Sequence, residues 1–203
     1  MQRASILLIA LLVVQASAGA KTRPALISAR GWRGVATGAD LLRIRDWRKT
    51  FVKAIADARK RGDGKAIDAE GVLLEPDLAL AEAAPPPGHY RCRTIKIGVK
   101  GAAAGDYVVY PGESCRIGPG DSSFARLSGP QRMLGTLYPD AARRTIFLGT
   151  VQFGDEKAAM AYGVDEMRNA AGLLQRIGER RWRLVLPLPH FESSLDVIEL
   201  LPG

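Results

Sequence analysis

The stretch QRMLGTLYPDAARRTIFLGTVQF, running from Gln131 to Phe153, decides how this chain is read. Its flanks, Gln131–Tyr138 and Arg144–Phe153, are rich in aliphatic, aromatic and β-branched residues, and Pro139-Asp140 between them is a turn signal. Ile146 and Leu148 alternate with Thr145 and Phe147, the period of two that sends successive side chains to opposite faces of a strand. The segment predicts two antiparallel neighbours.

The same grammar extends in both directions. Upstream lie Tyr90–Gly98, Asp106–Tyr110, Cys115–Ile117 and Phe124–Leu127; downstream lie Gly172–Ile177, Trp182–Leu186 and Leu195–Leu201. Pro111-Gly112, Gly118-Pro119-Gly120-Asp121, Gly129-Pro130 and Gly178-Glu179 punctuate them. Trp182, Leu184 and Leu186 face one way, and Arg181, Arg183 and Val185 the other. Eight or nine short strands in series predict a mainly β domain over 88–203. Its expected form is an up-and-down antiparallel β-barrel of lipocalin-like topology, with a β-sandwich as the alternative. Closure would also remove the exposed strand edges of an exported all-β protein. A membrane-spanning barrel fits poorly. It needs strands of about nine to eleven residues and aromatic girdles, whereas most strands here are shorter and aromatics make up 6% of the chain.

Ahead of the strands, residues 19–87 read as an N-terminal α-helical segment with a Pro-rich connector. Leu41, Ile44, Trp47, Phe51, Val52, Ile55 and Ala58 form one apolar stripe, which predicts a helix from about Asp40 to Arg61. Asp40 is placed to cap it, and Gly62 and Gly64 to stop it. The formal charge of +8 is concentrated here: Lys21–Lys65 holds 13 Lys+Arg against 4 Asp+Glu, while Ala66–Gly203 holds 15 against 17. Arg45, Lys49 and Lys53 recur along the helix flank with no acid between them at that spacing. Like charges so placed cost a few tenths of a kcal/mol per pair. The row is either the solvated edge of a docked helix or a contact for an anionic partner such as a lipid surface, an envelope polymer or an acidic protein. A helical turn at Ala66–Gly71 follows, with Leu73, Leu74 and Leu78 expected to tuck against the core. Ala83-Ala84-Pro85-Pro86-Pro87-Gly88 cannot continue a helix and sets the expected domain boundary.

The first residues read as an address. A short basic start, the apolar run Ile6–Val14 and the small residues Ala16-Ser17-Ala18 have the layout of a secretory signal peptide, 1–18, with cleavage after Ala18 or after Ala20. The run is too short for a permanent transmembrane span, and no cysteine near the cut allows a lipoprotein. The expected product is a soluble, exported protein, periplasmic in a bacterium. In such a compartment Cys92 and Cys115 are expected to pair. A bridge between them would stabilise by about 3–4 kcal/mol on the loop-entropy model.

The later half resembles a family of bacterial exported proteins known as domain of unknown function 4893. The resemblance rests on Tyr90-Arg91-Cys92-Arg93, Gln131-Arg132, Gly135-Thr136-Leu137-Tyr138-Pro139, Phe147-Leu148-Gly149-Thr150 and Gly154-Asp155-Glu156. It continues through Tyr162-Gly163, Arg176-Ile177-Gly178, Arg181-Trp182-Arg183-Leu184 and Leu195-Asp196-Val197-Ile198-Glu199-Leu200. It is close from Gly88 onward and loose over the leading helix. Pro130 stands where the family pattern has Ser, and Gln175 where it has Glu. The family brings no assigned residue roles.

Chemistry is sparse. His190-Phe191-Glu192-Ser193-Ser194 gathers a histidine, an acid and hydroxyls in one short loop, whereas a triad is assembled from separate segments with oxyanion donors beside it. Ser193 and Ser194 read as turn formers, and no catalytic residue is assigned. The connection Gly154–Ala171 carries Asp155, Glu156, Asp165 and Glu166 without the spacing of a calcium loop. It predicts a short helix over Glu156–Met160 capped by Asp155. No metal or other cofactor is expected. Arg132, Tyr138, Tyr162, Arg168 and Trp182 are the residues placed to line a barrel mouth and bind a ligand. Nucleic acid is not expected as a partner, because the leader sends the chain out of the cytoplasm. The leading expectation is a non-enzymatic binding module of the cell envelope, for a small ligand or a partner. The alternative is a structural or inhibitory interaction protein with a filled barrel whose basic helix makes the contact, and a hydrolase ranks last.

Overall fold

The computed structural model describes residues 31–99, 106–119 and 122–203, so the expected signal segment lies outside the described residues. Eight strands run in chain order: β1 (Gly88–Ile97), β2 (Tyr107–Ile117), β3 (Ser123–Arg126), β4 (Gln131–Ala141), β5 (Arg144–Phe153), β6 (Asn169–Gly178), β7 (Arg181–Pro187) and β8 (Leu195–Pro202). Each pairs antiparallel with the next, and β8 returns to β1 from Tyr90↔Pro202 to Ile97↔Leu195, which closes the barrel. That last ladder decides against the sandwich, whose two sheets would keep separate edges.

Two expected turns lie inside strands. Asp106–Tyr110 and Cys115–Ile117 belong to a single β2, because Pro111-Gly112 forms a bulge instead of a hairpin: the register steps from Cys92↔Glu113 to Thr94↔Tyr110, so two residues face Arg93 alone. Gly112 takes φ 72°, and proline, lacking an N–H, is tolerated at a bulge. Pro139-Asp140 is likewise absorbed into β4, whose register slips at Asp140 before a tight turn at Ala142-Arg143. The helix expected at Glu156–Met160 does not form. The Glu156 carboxylate instead turns back to accept the Phe153 N–H at 2.9 Å and to pair with Arg168 at 2.5 Å. Helical geometry in this connection is limited to a 3₁₀ turn, Glu166–Arg168, capped by Asp165.

The leading segment is helical from Gly38 to Glu70 with two interruptions. α1 (Gly38–Arg45) and α2 (Trp47–Ala58) meet at Asp46, and a π turn through Gly62, at φ 110°, leads into α3 (Gly64–Glu70). Thr37, not Asp40, is the cap: its Oγ1 accepts the Asp40 N–H at 3.2 Å, while the buried Asp40 carboxylate serves other donors. Ile44, Phe51, Ala54 and Ala58 turn inward, whereas Val52 remains 42% exposed.

Strand alternation sorts the core into two layers. Cys92, Phe124, Leu137, Phe147, Trp182, Leu184 and Ile198 fill the barrel interior. Ile95, Ile97, Ile146, Leu148, Leu173, Val185 and Val197 point outward and pack beneath Trp32, Ile44, Phe51, Ile67, Leu73 and Leu74. At about 1.5–3 kcal/mol for each large apolar side chain fully buried, this outer layer stabilises as effectively as an ordinary core. A fully buried arginine locks it. Arg183, on the outer side of β7, donates to the carbonyls of Leu73 (2.9 Å), Glu75 (2.7 Å), Pro76 (3.2 Å) and Leu78 (3.0 Å) and to Gln175 Oε1 (3.0 Å). Burial without a bonded carboxylate pushes its pKa down to about 10. Arg93 adds an ion-pair chain joining Glu70 of α3 to Glu199 of β8. Among the described residues, no helix is long and apolar enough to cross a membrane.

Candidate functional site

The two ends of the barrel interior differ. One end is solid: Cys92 and Cys115 form the expected disulfide, with Cα atoms 6.0 Å apart, and Trp182 meets Tyr90 edge-to-face at 6.0 Å. The middle is closed by Phe147, which lies 5.4 Å from Phe124 and lays its ring across the paired glycines of β4 and β5. A Cβ on Gly149 would fall 2.3 Å from the Leu134 carbonyl and 2.4 Å from that ring. These glycines exist to make room for an aromatic plug.

At the other end the inward positions become polar. Alternation along β1 places Thr94 and Lys96 on the same face as Cys92, and alternation along β8 places Asp196 beside Ile198. β3 ends there with Arg126, and β6 begins beside it with Asn169, which shares the outward phase of Ala171 and Leu173 and accepts the Gly163 N–H at 2.9 Å. All five are buried. Lys96 pairs with Asp196 at 3.0 Å. Arg126 donates to Thr94 Oγ1 at 2.8 Å and to the Gln131 carbonyl, and lies 3.5 Å from Glu113. Burial pushes the Asp196 carboxyl above its ordinary range, and Lys96 and Ser193 oppose the shift. Behind these groups a cavity of about 30 Å³ remains, bordered also by Arg43, Gln131, Phe191 and His190.

The loop from Leu188 to Ser194 covers this chamber. Phe191 packs edge-on against Phe153 at 5.4 Å, Glu192 accepts from Gln131 at 3.0 Å, and Ser193 donates to Asp196 at 2.5 Å. Arg43 of α1 donates to His190 Nε2 at 2.7 Å. Burial and the neighbouring guanidinium hold the imidazole pKa below its ordinary value. Leu188 and Glu192 carry positive φ, 48° and 69°, which non-glycine residues adopt only when their surroundings enforce it. The cover is a strained loop held by side-chain bonds.

The expected ligand-lining residues separate into two sets. Three serve the rim. Arg132 donates to the Phe153 and Glu156 carbonyls, at 3.4 and 2.9 Å, and Arg168 stacks over the Phe153 ring at 4.5 Å. Tyr162 donates to Asp40 at 2.6 Å and accepts the Thr37 N–H at 3.0 Å, and burial beside that carboxylate pushes its pKa up to about 12. The other two lie elsewhere, Tyr138 on the outer wall in the helix-covered layer and Trp182 at the disulfide end. Lys96, Arg126 and Asp196 were missed by the sequence reading. The available signal was a charge in phase with apolar inward positions, as in Tyr90, Cys92, Thr94, Lys96.

The hydroxyls of the covering loop are not paired with histidine: Ser193 donates to Asp196 and Ser194 to the Gly98 carbonyl at 3.5 Å. The basic row is less bare than its spacing suggests, because acids come from flanking positions. Arg45 binds Asp46 through two bonds of 2.8 Å, and Lys53 pairs with Asp57. Among the described residues, Lys49 has no carboxylate within ion-pair distance, and with Lys53 it borders a groove of about 590 Å³ beside α2.

The fold and site define a closed eight-stranded barrel with a helical strap, solid at one end and polar under a loop at the other. The chain belongs to the family described as Domain of unknown function (DUF4893), whose model matches residues 32–200 and so spans strap and barrel together. No curated protein and no solved structure matches it.

Proposed function

We propose that the protein is an exported, non-enzymatic binding module of the cell envelope whose ligand enters the barrel at the loop-covered polar end. The observation that carries this reading is the contrast within one interior, plugged by Phe147 in the middle yet lined with buried charges beneath a strained cover. Buried charge is costly and strained backbone clusters where function requires it, so both features at one end favour recognition there. Export rests on the leader Met1–Ala18 and is supported by the disulfide, which belongs to oxidising compartments. The filled middle of the barrel also favours a second reading, an interaction protein that binds through its surface, with the groove beside Lys49 and Lys53 as the contact.

Native mass spectrometry of the protein taken from its own envelope tests both halves. The expected mass is that of a chain starting at Gly19 or Lys21, with the disulfide formed and a small molecule that dissociates on activation. A full-length chain with free thiols would overturn export, and a mature chain without any adduct would favour the surface reading.

A further inference from the structure

We infer that the chamber beneath the 188–194 loop is a site for a small anion, a carboxylate or inorganic oxyanion, with the Arg126 Nε–H as its anchor. The inference rests on the binding-module reading and adds the chemistry of the ligand.

Three cations border the cavity, Arg43, Lys96 and Arg126, against one carboxylate, Asp196. The other acids that compensate them stand outside it: Asp40 behind Arg43 at 2.8 Å, Glu113 at 3.5 Å from Arg126, and the half-exposed Glu192 at 3.4 Å from Lys96. Arg126 is only 5% exposed, and its Nε–H has no acceptor among the described residues, although both its Nη atoms are bonded. A buried, unsatisfied N–H on a charged group is costly unless something accepts from it. Here it belongs to a residue that lines a cavity. Arginine presents its donors in a planar fork that suits carboxylate and oxyanion geometry.

The size narrows the choice further. A cavity of about 30 Å³ has room for about two waters, which matches the three heavy atoms of formate or the head group of a longer carboxylate. A larger anion requires the cover to lift, and the cover is the strained loop tied down through Arg43–His190 and Glu192–Gln131.

The test uses the full mature chain at constant ionic strength, with the Arg126 Nε–H resonance followed by NMR during titration with formate, acetate and phosphate, and with formamide as the neutral isostere of formate. We expect a saturable shift of that resonance with at least one anion and a response to formamide at least tenfold weaker. Formate or acetate alone would assign a carboxylate, and phosphate alone an inorganic oxyanion. Arg126→Lys keeps the charge facing Glu113 but removes the Nε–H, and should weaken the response of the chamber amides at least tenfold. Equal responses to formate and formamide, or none to any anion, would overturn the inference. The binding-module reading would survive that result if a neutral molecule is found on protein isolated from the envelope, and would fall with it if none is.

Discussion

His190 connects the cover to the strap through Arg43, a permanent cation that donates to a neutral imidazole at 2.7 Å. The folded-state pKa is depressed, so the unfolded chain binds this proton more readily and the contribution is complete only above the ordinary histidine value of about 6.5. It is lost as pH falls through the folded-state pKa, when imidazolium and Arg43 would repel. Asp40, Asp165 and Glu166 temper that repulsion without reversing it. Asp196 works in the opposite sense, since a raised carboxyl pKa favours the folded state in acid. The prediction is therefore a difference. Between pH 7 and pH 5.5, the protection factor of the Ser194 amide, which donates to the Ile97 carbonyl at 3.0 Å, should fall more in the wild type than in His190→Gln, whose amide oxygen can still accept from Arg43. Identical pH dependence would remove the histidine from the mechanism. Nothing in the sequence pointed to this bond, because Arg43 and His190 are 147 positions apart and neither stands in a motif.

Individual elements were legible where alternation was clean and illegible where a single residue broke the rule. The paired registers of β7 and β8 follow from Trp182-Leu184-Leu186 and Ile198-Leu200. The continuity of β2 did not, because Pro111-Gly112 is a turn signal in sequence and a bulge in space, and only the closed ladder with β1 distinguishes them. Glycine in a strand reads as weakness, yet Gly149 is a packing requirement. Gly149→Ala should cost about 1–3 kcal/mol by overpacking against the Leu134 carbonyl and Phe147, measurable by urea denaturation. Alternation along β7 turns Arg183 away from Trp182, and that outward face is fully buried under the connector. Arg183→Met should destabilise by about 3 kcal/mol or more, since several connector carbonyls lose their donor together. Arg183→Lys should recover only part of this, because one ammonium cannot reach carbonyls spread from Leu73 to Leu78. Full recovery by lysine would mean that charge, not the fork, holds the connector.

For the molecule as a whole, the meander was legible because short apolar strands in series, separated by turn signals, pair most simply with their chain neighbours. How closely the strap serves the barrel was less so, since the apolar stripe of α2 shows only that something is covered. With Ile95, Leu173, Val185 and Val197 packed under the helices, strap and barrel should unfold in one transition seen alike by far- and near-ultraviolet circular dichroism. Separate transitions would contradict a shared core. Reduction of Cys92–Cys115 should lower stability by about 3 kcal/mol on the loop-entropy model without altering the topology, because the bridge joins strands that are already paired. The polar end stayed hidden in the sequence because its parts, Lys96, Arg126, Asn169 and Asp196, sit on four different strands and converge only when the barrel closes. The most direct measurement is hydrogen exchange of the mature protein with and without the small-molecule fraction of its own envelope. Added protection is expected, confined to the 188–196 loop, the 160–169 connection and the end of β1. Protection confined to α2, or to the Tyr90–Trp182 end, would contradict it.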